Sequence, residues 1–360
     1  MNNKSVAISG GHTAGHIYPL VEIGNYLHKK NGLDIQFFGS KNDLEYEIAH
    51  ENQYSFKAIS PTQIRTKNLL KLIWGLINFT ATYFKTLIYL SANRPLLMLV
   101  SGGYTCAPVG LAAKTIGIPL IVFCPDVKPG WSIRFLSKIA NQICCSVSDS
   151  LKYLPAKKTS VTGYPARKEF YTYETYKSRL GSNAENRTNL LIMGGSLGSK
   201  EINEFITNHI KFLTMHYQIT HITGTNEYQR VEKKWKMLNE VEKSQYKILK
   251  YSKNVAELIA NSDLILLRAG ASILGELTAL AQPAILYPGT FSDQYLNARF
   301  LEQKNAAVIL ESLDQNAVQI LEKTLESKET RIKLSDNIGN LSQGNAIKNI
   351  TTLVIRQINE

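Results

Sequence analysis

Only four cysteines occur in the 360 residues, and none stands at metal-ligand spacing. Cys144 and Cys145 are adjacent, and Cys106 and Cys124 lie among small or apolar residues, so all four read as buried thiols rather than a disulfide framework. There is no H-E-x-x-H and no run of aspartates, hence no sequence case for a catalytic metal, and no cofactor is called for. The G-x-G-x-x-G and G-K-[ST] signatures are also missing, which excludes the dinucleotide fingerprint and the P-loop. No apolar run reaches the ~20 residues that cross a bilayer. The N-terminus, MNNKSVAISGG, has no signal-peptide core, so the chain is expected to stay in the cytoplasm. Acidic residues are absent between Glu51 and Asp126, where Lys57, Arg65, Lys67, Lys71, Lys85, Arg94 and Lys114 all fall.

What is present is ordinary globular composition, 44% apolar, with a formal charge of +12. A chain of this length builds about two domains. The basic excess points to nucleic acid, or to anionic membrane and phosphate-bearing ligands. Its placement favours the second, because the basic residues flank an apolar stretch rather than alternating with aromatics along a single-strand groove. That stretch runs from Leu69 to Leu90, and its uncharged centre spans residues 72–84. It fits a helix packed on its own domain whose remaining apolar and basic residues rest on lipid, with Arg65, Lys67, Lys71, Trp74, Phe79 and Lys85 as the contacts. An ordinary buried helix is the competing reading.

Two glycine-rich turns occupy equivalent settings. Val6-Ala7-Ile8 runs into Ser9-Gly10-Gly11-His12-Thr13-Ala14-Gly15-His16, and Leu190-Leu191-Ile192-Met193 runs into Gly194-Gly195-Ser196-Leu197-Gly198. Each is an apolar strand, a turn and a helix start, where close backbone approach and unpaired N–H groups suit phosphate; tight structural turns are the bland alternative. Ser196 and its backbone look better suited to phosphate than Lys200. Strand patterns at residues 4–8, 33–38, 96–100, 119–123 and 144–147 alternate with helical periodicity, and the pattern restarts at 190–193, 217–221, 246–249, 263–267 and 284–287. This predicts an α/β chain of two Rossmann-like domains with parallel sheets facing across a cleft. A polar stretch, 171–189, separates the halves, and a last amphipathic segment near 345–358 fits as a cap on either one.

Several side chains suit sugar transfer. Gly270-Ala271-Ser272-Ile273 offers another helix start for phosphate, and Glu276 beyond it lies in an apolar pattern. A carboxylate there needs partners, which a ribose diol or a neighbouring cation would supply. Asp293, Gln294 and Asn297 group as the polar part of a sugar pocket, though each alone reads as helix-capping chemistry. At the first turn, His16 can take a proton from an attacking hydroxyl, the alternative being that it only shapes the turn; Asp126, ending Phe123-Cys124-Pro125-Asp126, is the rival base. Tyr104, after Ser101-Gly102-Gly103, borders the acceptor side.

Together these segments resemble the MurG family of UDP-GlcNAc transferases. The resemblance rests on Gly10 to Pro19, Gly102-Gly103-Tyr104, Gly163-Tyr164-Pro165-Ala166-Arg167, Gly194 to Gly198, Arg268 to Ala271 with Glu276, and Asp293 to Ala298, in order across nearly the whole chain. It implies a GT-B fold. An acceptor and membrane-facing domain would span 1–165, completed by 343–360, and a UDP-sugar domain 166–342. It implies inverting, metal-independent transfer of N-acetylglucosamine from UDP-GlcNAc to undecaprenyl-pyrophosphoryl-MurNAc-pentapeptide, a peptidoglycan precursor, at the cytoplasmic face of the plasma membrane. The implied partners are that donor, the undecaprenyl-linked acceptor, an anionic membrane surface and cell-wall synthesis proteins, with no nucleic acid. By residue, it puts Thr13, Gly15 and His16 at the diphosphate and reaction centre. Arg167, Gly195 and Ser196 fall on the donor diphosphate, and Gly270, Ala271, Ser272 and Ile273 by uridine or phosphate. Glu276 goes to the ribose, with Asp293, Gln294 and Asn297 at the GlcNAc.

The chain departs from the family pattern at His12 and Ala14, where glycines are common, at Asp293, where Gln or Asn is frequent, and in one loop. His-Glu-Gln-Asn is usual where this chain has Phe123-Cys124-Pro125-Asp126. The departure opens a second reading, a UDP-sugar transferase acting on another lipid-linked envelope glycan, with Asp126 recruited to catalysis or acceptor binding. A non-catalytic nucleotide-sugar or nucleic-acid binding protein is a third.

Overall fold

A computed structural model describes residues 4–11, 13–60, 68–179, 187–195, 197–290 and 292–360. Arg65, Lys67 and Ser196 of the expected contacts lie outside these residues. The chain divides into two compact units, Met1–Arg167 with Gln343–Glu360, and Lys168–Ser342.

The first unit is built on β1 (Ser5–Gly10), β2 (Asp34–Gly39), β3 (Ser55–Ala58), β4 (Leu97–Gly102), β5 (Leu120–Cys124), β6 (Gln142–Cys145) and β7 (Thr159–Val161). They form one parallel sheet in the order β3-β2-β1-β4-β5-β6-β7. Strands β1, β4 and β5 are buried along their whole length. That is why they read as continuous apolar runs rather than alternating ones, since helices cover both faces.

The second unit repeats the plan with β8 (Asn189–Met193), β9 (Gln218–Ile222), β10 (Tyr246–Leu249), β11 (Leu264–Leu267), β12 (Ala284–Leu286) and β13 (Val308–Ile309). Its order is β10-β9-β8-β11-β12-β13, again parallel throughout. In each unit the strand order reverses beside the first strand, between β1 and β4 and between β8 and β11. Crevices at the carboxyl ends of such reversals are where open α/β sheets bind ligands. Both glycine-rich turns open there.

Two expectations are resolved or corrected by packing. The helix Ala346–Asn359 packs on the helix Ala14–Asn31, burying Ala346, Ile347, Ile350 and Val354, so it completes the first unit. The polar stretch beginning at Tyr171 is not a bare separator. Tyr176 is buried with its hydroxyl accepting from Arg331 Nε at 3.0 Å, and Lys177 Nζ pairs with Asp336 at 3.0 Å, which ties these residues into the second unit.

The helix Leu69–Ala92 is turned against its own composition. Its buried positions are Gly75, Thr82, Thr86 and Leu90, while Leu70, Trp74, Ile77, Phe84 and Ile88 face water. Small inward residues let the helix lie close to the helix Cys106–Thr115, and the large apolar ones are left outside.

Candidate functional site

A cavity of about 430 Å³ opens at the reversal between β8 and β11. Two helix entrances converge on it, Lys200–Asn208 after the Gly194–Gly198 turn and Ile273–Leu280 after Gly270. Six of the expected donor residues line it together: Gly195, Gly270, Ser272, Ile273, Glu276 and Gln294. Glu276 lies in the first turn of its helix, and Ser272 Oγ donates to its Oε2 at 3.4 Å. Its half-buried position presents acceptor oxygens to the cavity, as a diol requires. Ala271 is buried beside the lining residues rather than among them. Asn297 is wholly buried and donates from Nδ2 to the Ala269 carbonyl at 3.1 Å, so it braces the turn from behind. Asp293 is exposed and is not one of the residues that form the wall.

Arg268, which opens the Arg268–Ala271 segment and is not among the residues expected at the site, also lines the cavity. Arg268 leaves β11 at the reversal, donates from Nε to Gln294 Oε1 at 3.0 Å, and places Nη1 3.8 Å from Glu201 Oε2. Its guanidinium carbon lies 5.7 Å from the Tyr287 ring centroid. Burial lowers its pKa, and Glu201 and Tyr287 oppose that shift; an arginine remains cationic in either case. Ser199, Lys200 and Glu201 also line the cavity. The Glu201 carboxyl is held below the usual carboxylate range by its own backbone N–H and by Ser199, whose Oγ donates to it at 2.8 Å. An arginine following an apolar strand at a sheet reversal was the available signal.

In the first unit, the turns after β1 and β4 press against each other. Gly11 N–H donates to the Gly102 carbonyl at 3.2 Å. Gly103 has φ +92°, and a Cβ there would meet the Gly11 carbonyl oxygen at 2.7 Å, so only glycine fits. His16, in the first turn of its helix, is locked to β4 by two bonds. Its Nδ1 lies 2.7 Å from the Ser101 carbonyl, and Ser101 Oγ donates to the His16 carbonyl at 2.5 Å. A carbonyl only accepts, so Nδ1 carries the hydrogen and Nε2 of the neutral ring keeps its lone pair. Thr13 is exposed at the N-cap and Gly15 is half-buried in the first turn; Tyr104, in the turn after β4, is also half-buried. Asp126 follows β5, beside β4, so the strand order sets it and His16 on one edge of the sheet. Glu45, almost completely buried, brings Oε1 to 2.1 Å from where a Gly11 Cβ would stand, a neighbour the sequence reading did not identify. Arg167 belongs to this unit, its guanidinium carbon 5.7 Å from the Tyr18 ring centroid.

Of the expected membrane contacts, Trp74 is 65% exposed, Lys71 and Lys85 are exposed, and Phe79 is only half-buried. A groove of about 460 Å³ runs along the same helix, lined by Lys57, Ile59, Lys85, Ile88 and Tyr89 among others, and Lys57 Nζ sits 4.4 Å from the Tyr89 ring centroid. No helix among the described residues is long and apolar enough to cross a membrane.

Comparison with known proteins follows the same division. The glycosyltransferase family 28 N-terminal domain matches residues 6–145, and the family 28 C-terminal domain matches residues 189–350. The UDP-N-acetylglucosamine--N-acetylmuramyl-(pentapeptide) pyrophosphoryl-undecaprenol N-acetylglucosamine transferase of Bacillus subtilis (strain 168) is 30% identical over 346 residues, 93% of this chain and 94% of its own. The protein of that name from Natranaerobius thermophilus is 33% identical over 327 residues, covering 87% and 88%. Among solved structures, Acinetobacter baumannii MurG superposes with a TM-score of 0.82 at 21% identity, over 98% of this chain and 99% of that one. The calicheamicin glycosyltransferase CalG4 shares the fold at a TM-score of 0.71 and 10% identity, with 99% of each chain covered. Two family 28 domains in sequence order, on two parallel-sheet units of GT-B type, and relatives alike over almost the entire length establish that this chain belongs to the MurG family of glycosyltransferases.

Proposed function

We propose that the protein transfers N-acetylglucosamine from UDP-GlcNAc to the MurNAc of undecaprenyl-pyrophosphoryl-MurNAc-pentapeptide, forming the lipid-linked disaccharide of peptidoglycan synthesis. The observation that carries this reading is the second-unit cavity, where the carboxylates of Glu201 and Glu276, the half-buried Arg268 and two helix entrances converge. Glu276 accepts the ribose hydroxyls, Gln294 meets the GlcNAc, and the N–H groups at Gly195 and Ser272 take phosphate oxygens. The names of the relatives supply the acceptor, since both carry the muramyl-pentapeptide wording.

In this reading the acceptor hydroxyl attacks the anomeric carbon as the bond to the UDP oxygen breaks. Attack opposite the leaving group inverts that carbon. The hydroxyl proton passes to His16 Nε2, whose ring is already oriented by Ser101. Negative charge growing on the UDP is met by Arg268 and the helix N-termini, fixed donors that need no rearrangement and no metal. The apolar face of the helix Leu69–Ala92, with Lys57, Lys71 and Lys85, rests on the anionic cytoplasmic face of the membrane. That contact brings the enzyme to an acceptor confined there.

The test is purified protein with UDP-[14C]GlcNAc and a short-chain lipid-linked MurNAc-pentapeptide. Label in the lipid disaccharide, with UDP released in equal amount, is the expected result. Absence of transfer by folded, UDP-binding protein would overturn the acceptor assignment.

A further inference from the structure

Behind the Gly194–Gly198 turn lies a polar chain whose hydrogen directions are all determined. His221 of β9 is wholly buried, with Nδ1 2.7 Å from the Tyr246 hydroxyl and Nε2 2.8 Å from Asn203 Oδ1. Asn203, on the helix that follows the turn, donates from Nδ2 to the Thr223 carbonyl at 2.9 Å. Its Oδ1 must therefore accept, so His221 Nε2 carries the hydrogen and Nδ1 accepts from Tyr246. The chain runs one way, from Tyr246 through His221 and Asn203 to Thr223, with every member satisfied.

The end of that chain presses on the turn. A Cβ on Gly198 (φ +93°) would lie 2.2 Å from the Thr223 oxygen, and one on Gly224 (φ +85°) would lie 2.1 Å from the Gly198 nitrogen. Asn226 N–H also donates to the Leu197 carbonyl at 3.3 Å. The backbone around Thr223 thus forms the bed of Leu197 and Gly198 at the end of the glycine turn, and Asn203 fixes where its carbonyl lies.

We infer that His221 and Asn203 are positioning residues for donor binding, holding Thr223 so that the Gly194–Gly198 turn is set for the diphosphate before the ligand arrives. They act through the turn and touch no substrate. The inference rests on the donor-site reading above. Rigidity of this kind matters because a phosphate-binding turn that must order itself on binding loses affinity by that ordering cost.

The four partners allow a clean test, because Tyr246 and Thr223 lie at opposite ends of His221. UDP affinity would be measured calorimetrically, alongside melting temperature, for Asn203→Ala, His221→Leu, His221→Gln and Tyr246→Phe. A glutamine amide reaches as the imidazole Nε2 does and can still donate to Asn203. Expected is a rise in Kd for UDP of about 10-fold in Asn203→Ala and His221→Leu, with His221→Gln and Tyr246→Phe within about 2-fold of wild type. Tyr246→Phe should lower the melting temperature all the same, separating donor binding from stability. Glu276→Ala serves as the converse control, weakening UDP binding with little change in melting.

Wild-type affinity in folded Asn203→Ala and His221→Leu would overturn the positioning role and leave the donor site standing. Wild-type protein that does not bind UDP would overturn the donor site, and this inference with it. Should the variants not fold, amide hydrogen exchange on the ligand-free wild-type protein decides. Protection at Gly198 and Ser199 matching that of Asn203 supports a turn set in advance, and exchange at the rate of an open loop overturns it.

Discussion

Tyr164 donates its hydroxyl to the Gly15 carbonyl at 3.1 Å, and Gly15 stands four residues before Pro19. Those two facts belong together. Proline has no N–H, so Pro19, inside the helix Ala14–Asn31, leaves the Gly15 carbonyl without its helical donor. Tyr164, from the Gly163-Tyr164-Pro165 segment, supplies the missing hydrogen from 149 residues away. The first turn of the helix that carries His16 is therefore pinned both by β4 through Ser101 and by Tyr164.

Replacing Tyr164 by Phe should destabilise the protein by roughly 1–3 kcal/mol, the cost of stranding a partly buried carbonyl. Pro19→Ala restores an N–H to the helix, so the double variant should regain much of that loss. Urea unfolding of the four proteins in the cycle measures the coupling. Strict additivity of the two changes would show that Pro19 and Tyr164 are unrelated.

His16→Ala should slow the chemical step by roughly 10²–10⁴-fold while UDP affinity stays near wild type. Single-turnover transfer at saturating donor and acceptor reads this directly, with Asp126→Asn measured beside it. Near-normal turnover in His16→Ala with a loss of that size in Asp126→Asn would move the base to the altered loop.

Ser substitutions at Trp74, Ile77 and Ile88 should change folding stability by no more than about 0.5 kcal/mol each, because these side chains already face water. Binding to anionic vesicles should nevertheless fall steeply, since each apolar side chain withdrawn from lipid removes about 1.5–3 kcal/mol. Lys71→Glu and Lys85→Glu should weaken it further and make it less sensitive to salt. Phe79 is a poorer probe, being half-buried in the unit itself. Co-sedimentation at wild-type level in the triple variant would place lipid contact elsewhere.

Acid should find a weak point at His221. Burial pulls its pKa down to about 3 from an ordinary 6.5, so the folded protein keeps the ring neutral where the unfolded chain takes up a proton. Above pH 6.5 the residue contributes no pH dependence. As pH falls from 6.5 toward 3, the unfolded state binds more protons and stability drops, by up to about 1.4 kcal/mol per pH unit. Denaturant unfolding of wild type and His221→Gln between pH 7 and pH 4.5 tests the sign, the variant losing this part of the slope.

Much of this architecture is legible in the sequence because its central strands are buried on both faces. Segments such as Val6-Ala7-Ile8 and Leu190-Leu191-Ile192 leave unbroken apolar signals ending in glycine. Three of the four edge strands do not: Ser55–Ala58, Thr159–Val161 and Val308–Ile309 are two to four residues long, with one side of each unpaired, and were not expected. Periodicity also says little about the helix Leu69–Ala92, where small residues turn inward and the usual rule for choosing the buried face points the wrong way. At the site, Glu276 and Gln294 were legible as polar residues in apolar surroundings. Arg268 and His221 were not, because their roles come from neighbours on helices distant in sequence, Gln294 and Asn203, that only the fold brings near.

The chain passes from one unit to the other at Arg167 and returns at Gln343. During synthesis, then, the second unit has all of its strands before the first has its closing helix, Ala346–Asn359. The helix bearing His16 must wait for residues made after the whole of the second unit, against which it packs. Asn349, which donates from Nδ2 to the Thr162 carbonyl at 3.2 Å, clasps the end of β7 only at that moment. An interrupted translation product would carry a finished nucleotide-type fold and an unfinished partner. A chain stopped short of residue 346 leaves uncovered the flank of the Ala14–Asn31 helix against which Ala346–Asn359 packs.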